Sequence, residues 1–363
     1  MNKLKYIDAL RGIAVLAVIL IHAGSYGNVP LSPTIDSLVR EGARGVQLFY
    51  LASAFTLFLS FKNRFSKEAF PIRNFFIRRF FRIAPMYYIG ICYYILQNGF
   101  GAIFAPENPN ITPLGITTNV LFLHSFSPYW LNSIVPGGWS IGVEMMFYAI
   151  VPLLFFKIKN LNHAFNFLLL SLVFSVLFRV ILENSYTIDE KSLWYDYLFL
   201  CFPNQLPIFA LGIMMYFIVC EDKSQHKISP ISLLLAASMI FMAQIGLRVP
   251  ILAHLMLPNH FVFGIAFFIL AIGLSKIEIK IIVNVITIYI GKISFSMYLV
   301  HFAVLHILSM NNYIDYHTNS ILNLIIKYMV VVLISAAFST LFYRMIEVPF
   351  QNFGQRLITK LEK

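Results

Sequence analysis

Apolar runs of membrane-spanning length, separated by short polar or basic stretches, recur from one end of the chain to the other. A helix needs about 20 apolar residues to cross a bilayer, and it satisfies its own backbone polar groups as it does so. On that measure the pattern predicts spans over residues 10–27, 44–61, 83–99, 139–156, 164–182, 197–219, 230–247, 258–275, 293–309 and 321–342. The stretch 197–219 contains Pro203, Pro207 and Gly212 and is expected to be broken. Residues 278–290 are apolar but few, which suggests an interfacial or re-entrant piece rather than an eleventh span. The expected fold is all-α: a polytopic transmembrane helical bundle of about ten spans, in one domain over residues 1–363.

Composition agrees with that class. The chain is 59% hydrophobic and only 12% charged, with 36 Phe and 19 Tyr, far from a soluble average. Cys92, Cys201 and Cys220 lie in or beside apolar segments without redox or metal spacing, so they imply neither a disulfide framework nor a cluster. Lys3 and Lys5 ahead of an apolar run superficially resemble a signal peptide. Arg11 and His22 inside that run, and the spans behind it, favour a retained first helix.

Charge then orients the bundle. With a cytoplasmic N-terminus, 21 of the 27 basic residues fall on inner loops or inner helix ends, and six fall on or near the outer side. That asymmetry predicts both termini in the cytoplasm. The net charge of +11 therefore reports orientation and needs no nucleic-acid partner.

The first candidate chemistry lies between Asp8 and His22. Eleven helical steps bring His22 back to within about 20° of Arg11, some ~16 Å away along the axis. Ionisable groups on an apolar helix must face protein or water, and by default they mark function. The plainer alternative pairs Arg11 with Asp8 and leaves His22 as an interface marker. The inner loop 62–82 carries Lys62, Arg64, Lys67, Arg73, Arg78, Arg79 and Arg82 against the single acid Glu68. Arg78 and Arg82 share a face if this segment is helical. Arginine forks suit the phosphates of a nucleotide-like ligand, and they equally suit anionic lipid headgroups.

An external loop, about 100–138, holds Pro106, Pro109, Pro113, Pro128 and Pro136 and almost no charge. It either shapes a mouth or merely caps the bundle. Gly137 to Tyr148 follows, leading into the fourth span with Trp139, Ser140 and Glu144. Glu144 lies roughly 7 Å inside the helix, at a depth matching His22 in the first span, and an imidazole is a natural partner for such an acid. Ser140 and Tyr148 flank Glu144 on the same face.

Arg11 and His22, with ten residues between them, resemble the signature of the acyltransferase-3 family of integral-membrane O-acyltransferases. Five further stretches resemble that family in order. They are Gly42 to Phe55, Arg78 to Tyr88, Trp139-Ser140 with Glu144 and Phe147-Tyr148, Gly291 to His301, and Tyr343 to Phe350. Ala54 stands where the family usually has glycine, and Gln47 where an acid is common. The esterase-like domain that follows the bundle in some members is not expected within these 363 residues.

The resemblance implies transfer of an acyl group, usually acetyl, from cytoplasmic acetyl-CoA to a hydroxyl on an extracytoplasmic glycan. Lipopolysaccharide, capsule, exopolysaccharide and peptidoglycan are the usual acceptors, and the expected location is the bacterial inner membrane. In this chain it implies His22 and Glu144 as the catalytic pair and Arg11, Arg78, Arg79 and Arg82 as the contacts to CoA phosphates. Trp139, Ser140, Tyr298 and His301 become substrate contacts. His301 has an equal alternative, a buried histidine bonded to Tyr298 or to a backbone carbonyl. His124, His163, His226, His254, His260 and His317 look like loop or interfacial residues, and no metal is assigned. A secondary transporter is the rival class, but it would typically show internal repeats, which are absent from the sequence.

Overall fold

A computed structural model describes residues 4–98, 111–183, 185, 190–221, 228–245 and 258–363. All regular structure among them is helical. Eight helical stretches of the described residues are long and apolar enough to cross a membrane. The remaining two expected spans correspond to Pro71–Asn98, with four arginines in its first half, and the shorter apolar helix Pro230–Ile245. Each expected span falls on helical structure, apart from Tyr26 and Gly27, which lie beyond the first helix, a break within 197–219, and terminal residues outside the described set. The described residues divide into two compact units, Met1–Ser53 with Asp222–Arg344, and Ala54–Glu221 with Met345–Lys363.

The first unit is organised around α1 (Lys5–Ser25). Around it lie α2 (Pro33–Arg40) and the first residues of α3 (Gly45–Phe65). From the later part of the chain come α10 (Pro230–Ile245), which packs on α11 (Asn259–Lys276), and α11, α12 (Val285–Met310) and α13 (Ser320–Phe342), which reach α1. Ile7, Leu10, Ala14, Val15 and Ile19 are almost wholly buried and tie α1 into the core of this unit. Its tightest neighbour is α12. A Cβ added at Gly12 would sit 2.2 Å from Thr287 O, and one at Gly291 would sit 1.8 Å from Asp8 O. Only residues without a side chain allow two helix backbones to approach this closely.

The short apolar segment 278–290 does not stay together. Asn284 Oδ1 accepts from the backbone N–H groups of Ile286 and Thr287, and Thr287 Oγ1 accepts from Asn284 N. This reciprocal cap starts α12 at Val285, so 285–290 become its first turns instead of an interfacial piece. At the far end of α1, Gly27 takes φ +92°, and a Cβ there would run into Asp315 and Lys327. Lys327, buried on α13, donates to Tyr26 O and pairs with Asp315 at 3.2 Å. Asp315 also accepts from Asn28 N and Asn323 Nδ2.

The second unit holds the rest of α3, α4 (Pro71–Asn98), α5 (Pro113–Val120), α6 (Gly138–Lys157), α7 (Leu161–Glu183), α8 (Lys191–Leu200), α9 (Phe202–Tyr216) and α14 (Val348–Leu361). The expected span 197–219 is broken at Cys201, whose extended backbone separates α8 from α9 one residue before Phe202-Pro203. The side chains of Asn204 and Gln205 both donate to Phe199 O, a carbonyl freed by that break. Phe58, Phe61 and Phe155 form an aromatic cluster between α3 and α6. The C-terminal α14 rests on α4, with Gly354 against Phe81 and Phe353 edge-on to it. Of the expected external loop, Pro106 and Pro109 lie outside the described residues; Pro113 starts α5.

Candidate active-site groups

In the first unit, the close crossing of α1 and α12 carries His22 to His301. Their ring centres are 5.4 Å apart, and Phe302 packs against both, 4.4 Å from His22 and 4.1 Å from His301. Tyr298 completes the cluster, 5.8 Å from His301 and edge-on to Phe49. His301 is fully buried, and its Nδ1 donates to Met297 O at 3.2 Å, the backbone-carbonyl alternative expected for it. Its Nε2 is buried with no hydrogen-bond partner among the described residues. Arg11 is half-buried on the same helix as His22.

In the second unit, the basic stretch is helical from Pro71 onward, so Arg73, Arg78, Arg79 and Arg82 all ride on α4. They do not present one uniform anion site. Arg78 grips Glu68 with both prongs, at 2.7 and 3.0 Å. Arg64 adds a weaker pair at 3.6 Å. Asn74 Nδ2 donates to Glu68 and to Glu362 beyond α14, tying the turn before α4 to the C-terminal end. Burial disfavours the Glu68 carboxylate, but the bonds and charge of Arg78, the Asn74 bond and the charge of Arg64 outweigh it and hold its pKa below the ordinary value.

Arg79 turns the other way, toward α6. Its guanidinium lies 5.8 Å from the centre of the Tyr148 ring and 5.9 Å from that of Phe75. Its Nε is buried without a hydrogen-bond partner among the described residues. Tyr148 O–H in turn donates to Glu144 at 2.6 Å. An acid, a phenol and a guanidinium thus follow one another from α6 to α4, and charge-assisted bonds of this kind are the strong ones. Ser140 donates to Gly137 O in the first turn of α6. Trp139 is half-buried in the first turn of α6.

The structure therefore brings together His22, His301 and Tyr298 in one unit, and Glu144, Tyr148 and Arg79 in the other. Sequence reasoning placed Glu68 only as a lone acid in a basic loop, although its six-residue offset from Asn74 is visible in the chain. It also treated His124 and His260 as loop or interfacial residues, yet both are buried. His124 Nε2 donates to Gly138 O at 2.9 Å, against the first turn of α6. No residue spacing signals that contact. His163 and His317 are exposed, as expected, and His226 and His254 lie outside the described residues.

Residues 4–344 match the sequence profile of the family described as Acyltransferase domain. The chain is also similar to the Peptidoglycan O-acetyltransferase OatA of Listeria monocytogenes, at 29% identity over 169 residues. The matched stretch covers 42% of this chain and 25% of that protein, so the chain corresponds to about a quarter of its relative's length. No solved structure matches.

Proposed function

Because this chain belongs to the acyltransferase-3 family, and is an O-acyltransferase by that membership, we propose that it moves an acetyl group from cytoplasmic acetyl-CoA to a hydroxyl of a cell-surface glycan. The name of its relative makes peptidoglycan the first acceptor to test. A multi-pass helical chain in the bacterial inner membrane suits a reaction whose donor and acceptor lie on opposite sides.

The observation that carries the reading is His22 packed beside His301 and Phe302 within the first unit. A sugar hydroxyl attacks a thioester carbonyl only if its proton leaves as the new bond forms. A neutral imidazole is suited to take it near pH 7. The proton then departs with the sulfur as the C–S bond breaks, releasing CoA as its thiol. Glu144, fixed by Tyr148, is the second acid–base group of the chain. Arg11, Arg79 and Arg82 serve the phosphates of the donor, with the open Nε of Arg79 supporting an anion there. Arg78 joins them in exchange for part of its hold on Glu68. Trp139, Ser140 and Tyr298 face the acyl group or the sugar.

The test uses purified protein in lipid nanodiscs, acetyl-CoA labelled in the acetyl group, and peptidoglycan fragments. Label should pass to the glycan, and His22→Ala should lower the rate about 10²–10⁴-fold with donor binding retained. Transfer at the wild-type rate by His22→Ala would sink the mechanism.

A further inference from the structure

The close crossing of α1 on α12 fixes more than a distance. His301 Nδ1 is 3.2 Å from Met297 O. A carbonyl oxygen only accepts, so in the neutral ring the proton sits on Nδ1 and the lone pair on Nε2. That nitrogen is buried and unpaired among the described residues, in a ring that is itself fully buried. A buried acceptor without a donor is costly and calls for an explanation. The neighbouring ring able to supply an N–H is His22, its centre 5.4 Å away. Imidazole rings with centres this close bring two nitrogens to hydrogen-bond length, about 3 Å, once those nitrogens are turned toward each other. Phe302 packs on both rings and holds them as one cluster.

We propose that His301 is the positioning residue for His22: its Nε2 accepts the N–H of one His22 nitrogen and so leaves the lone pair on the other. A turn of the His22 ring about Cβ–Cγ closes the bond. The chain of donors then runs from His22 to His301 Nε2, and from His301 Nδ1 to Met297 O. When His22 takes the proton of the attacking hydroxyl, the imidazolium that forms keeps its opposite N–H on His301. When the C–S bond breaks, the first proton leaves with the thiolate and both rings return to their starting tautomers. No proton is gained or lost by His301. The sequence suggests Glu144 for this orienting task and a substrate contact for His301; the packing of α1 on α12 supplies a histidine for it instead. The inference rests on His22 being the base, and the experiment separates the two.

Protein labelled with ¹⁵N-histidine in nanodiscs reports the tautomers directly. His301 should show a protonated Nδ1 and an unprotonated Nε2, with coupling across the hydrogen bond to a His22 nitrogen. Hydrolysis of 4-nitrophenyl acetate, a probe that needs no glycan, gives kcat and KM for the variants, and retained acetyl-CoA binding reports folding. His301→Leu should lower kcat on the order of 10²-fold with KM little changed, and His301→Gln, whose amide oxygen accepts, should recover part of it. If His22→Ala is also fully active, the reading of His22 as base has failed. If His22→Ala is inactive while His301→Leu keeps wild-type kcat, the positioning role is wrong. Should the leucine variant not fold, a glutamine variant without recovery, or a His301 Nε2 that carries the proton, overturns the proposal.

Discussion

Gly291→Ala places a methyl group where α12 meets the backbone of α1. The new Cβ would lie 1.8 Å from Asp8 O and 2.6 Å from Asp8 C. Carbon and oxygen that are not bonded to each other settle at about 3.3 Å or more. The obstacle is main chain and cannot swing aside, so the helices must part by more than about 1 Å. A gap of about 0.5–1 Å already forfeits a quarter to a half of each van der Waals contact across it. Overpacking typically costs about 1–3 kcal/mol, and a rigid backbone obstacle belongs at the upper end of that range. Alanine's helix preference over glycine returns about 0.8–1 kcal/mol, which leaves a net loss of about 2 kcal/mol.

Thermal unfolding of purified protein in nanodiscs measures that loss. Gly90→Ala in α4 is the matched control, because its Cβ meets nothing nearer than the Val135 methyl groups at 3.8 Å. There propensity acts alone, and the variant should be neutral or about 1 kcal/mol more stable. His22 and His301 lie some three to four turns farther along the same crossing, so the glycine variant should also lose turnover. A Gly291→Ala protein as stable as wild type, beside a well-behaved Gly90→Ala, would refute the close approach of α1 and α12.

The remaining expectations concern the charged groups. Asp315→Asn leaves the buried Lys327 without its acid and should cost about 3 kcal/mol or more, while adding Lys327→Met should recover part of the loss in the same thermal assay. Burial opposes ionisation of Asp315, but its bonds from Asn28, Asn323 and Lys327 prevail and depress its pKa. Its contribution is therefore complete above about pH 4, the unfolded value, and is lost as pH falls through the lower folded value; unfolding temperatures should show the loss in that acid window and lose it in Asp315→Asn. Arg79→Ala and Arg82→Ala should each raise the KM for acetyl-CoA about ten- to a hundredfold, and Arg78→Ala should do so with a stability loss from the freed Glu68; unchanged donor affinity in all three would leave only the orienting role of these arginines. Glu144→Gln should keep donor binding and lose most of the transfer rate, measured with labelled acetyl-CoA; an unimpaired rate would remove Glu144 from the mechanism.

What the sequence made legible follows from period and length. The expected spans fall on helical structure because a bilayer tolerates little else, and hydropathy reads that constraint directly. The break at Cys201 was legible too, since Pro203 and Pro207 advertise it. Caps proved harder. The division of 278–290 turns on one reciprocal pair of hydrogen bonds at Asn284 and Thr287, a local choice that apolar content does not record. The same limit governs the site. Spacing on a single helix correctly put Tyr148 beside Glu144, because residues four apart must meet. It could not tell that Arg78 is held by Glu68 while Arg79, one residue later, turns 100° toward Tyr148, because each partner lies outside the helical repeat. Nor could it pair His22 with His301, which are 279 residues apart in the chain and adjacent only because Gly12 and Gly291 let two backbones touch. The glycines that make that approach possible carry no chemistry of their own, so a search for reactive side chains passes over them. For this chain the meeting of His22 and His301 depends on positions where a side chain is missing.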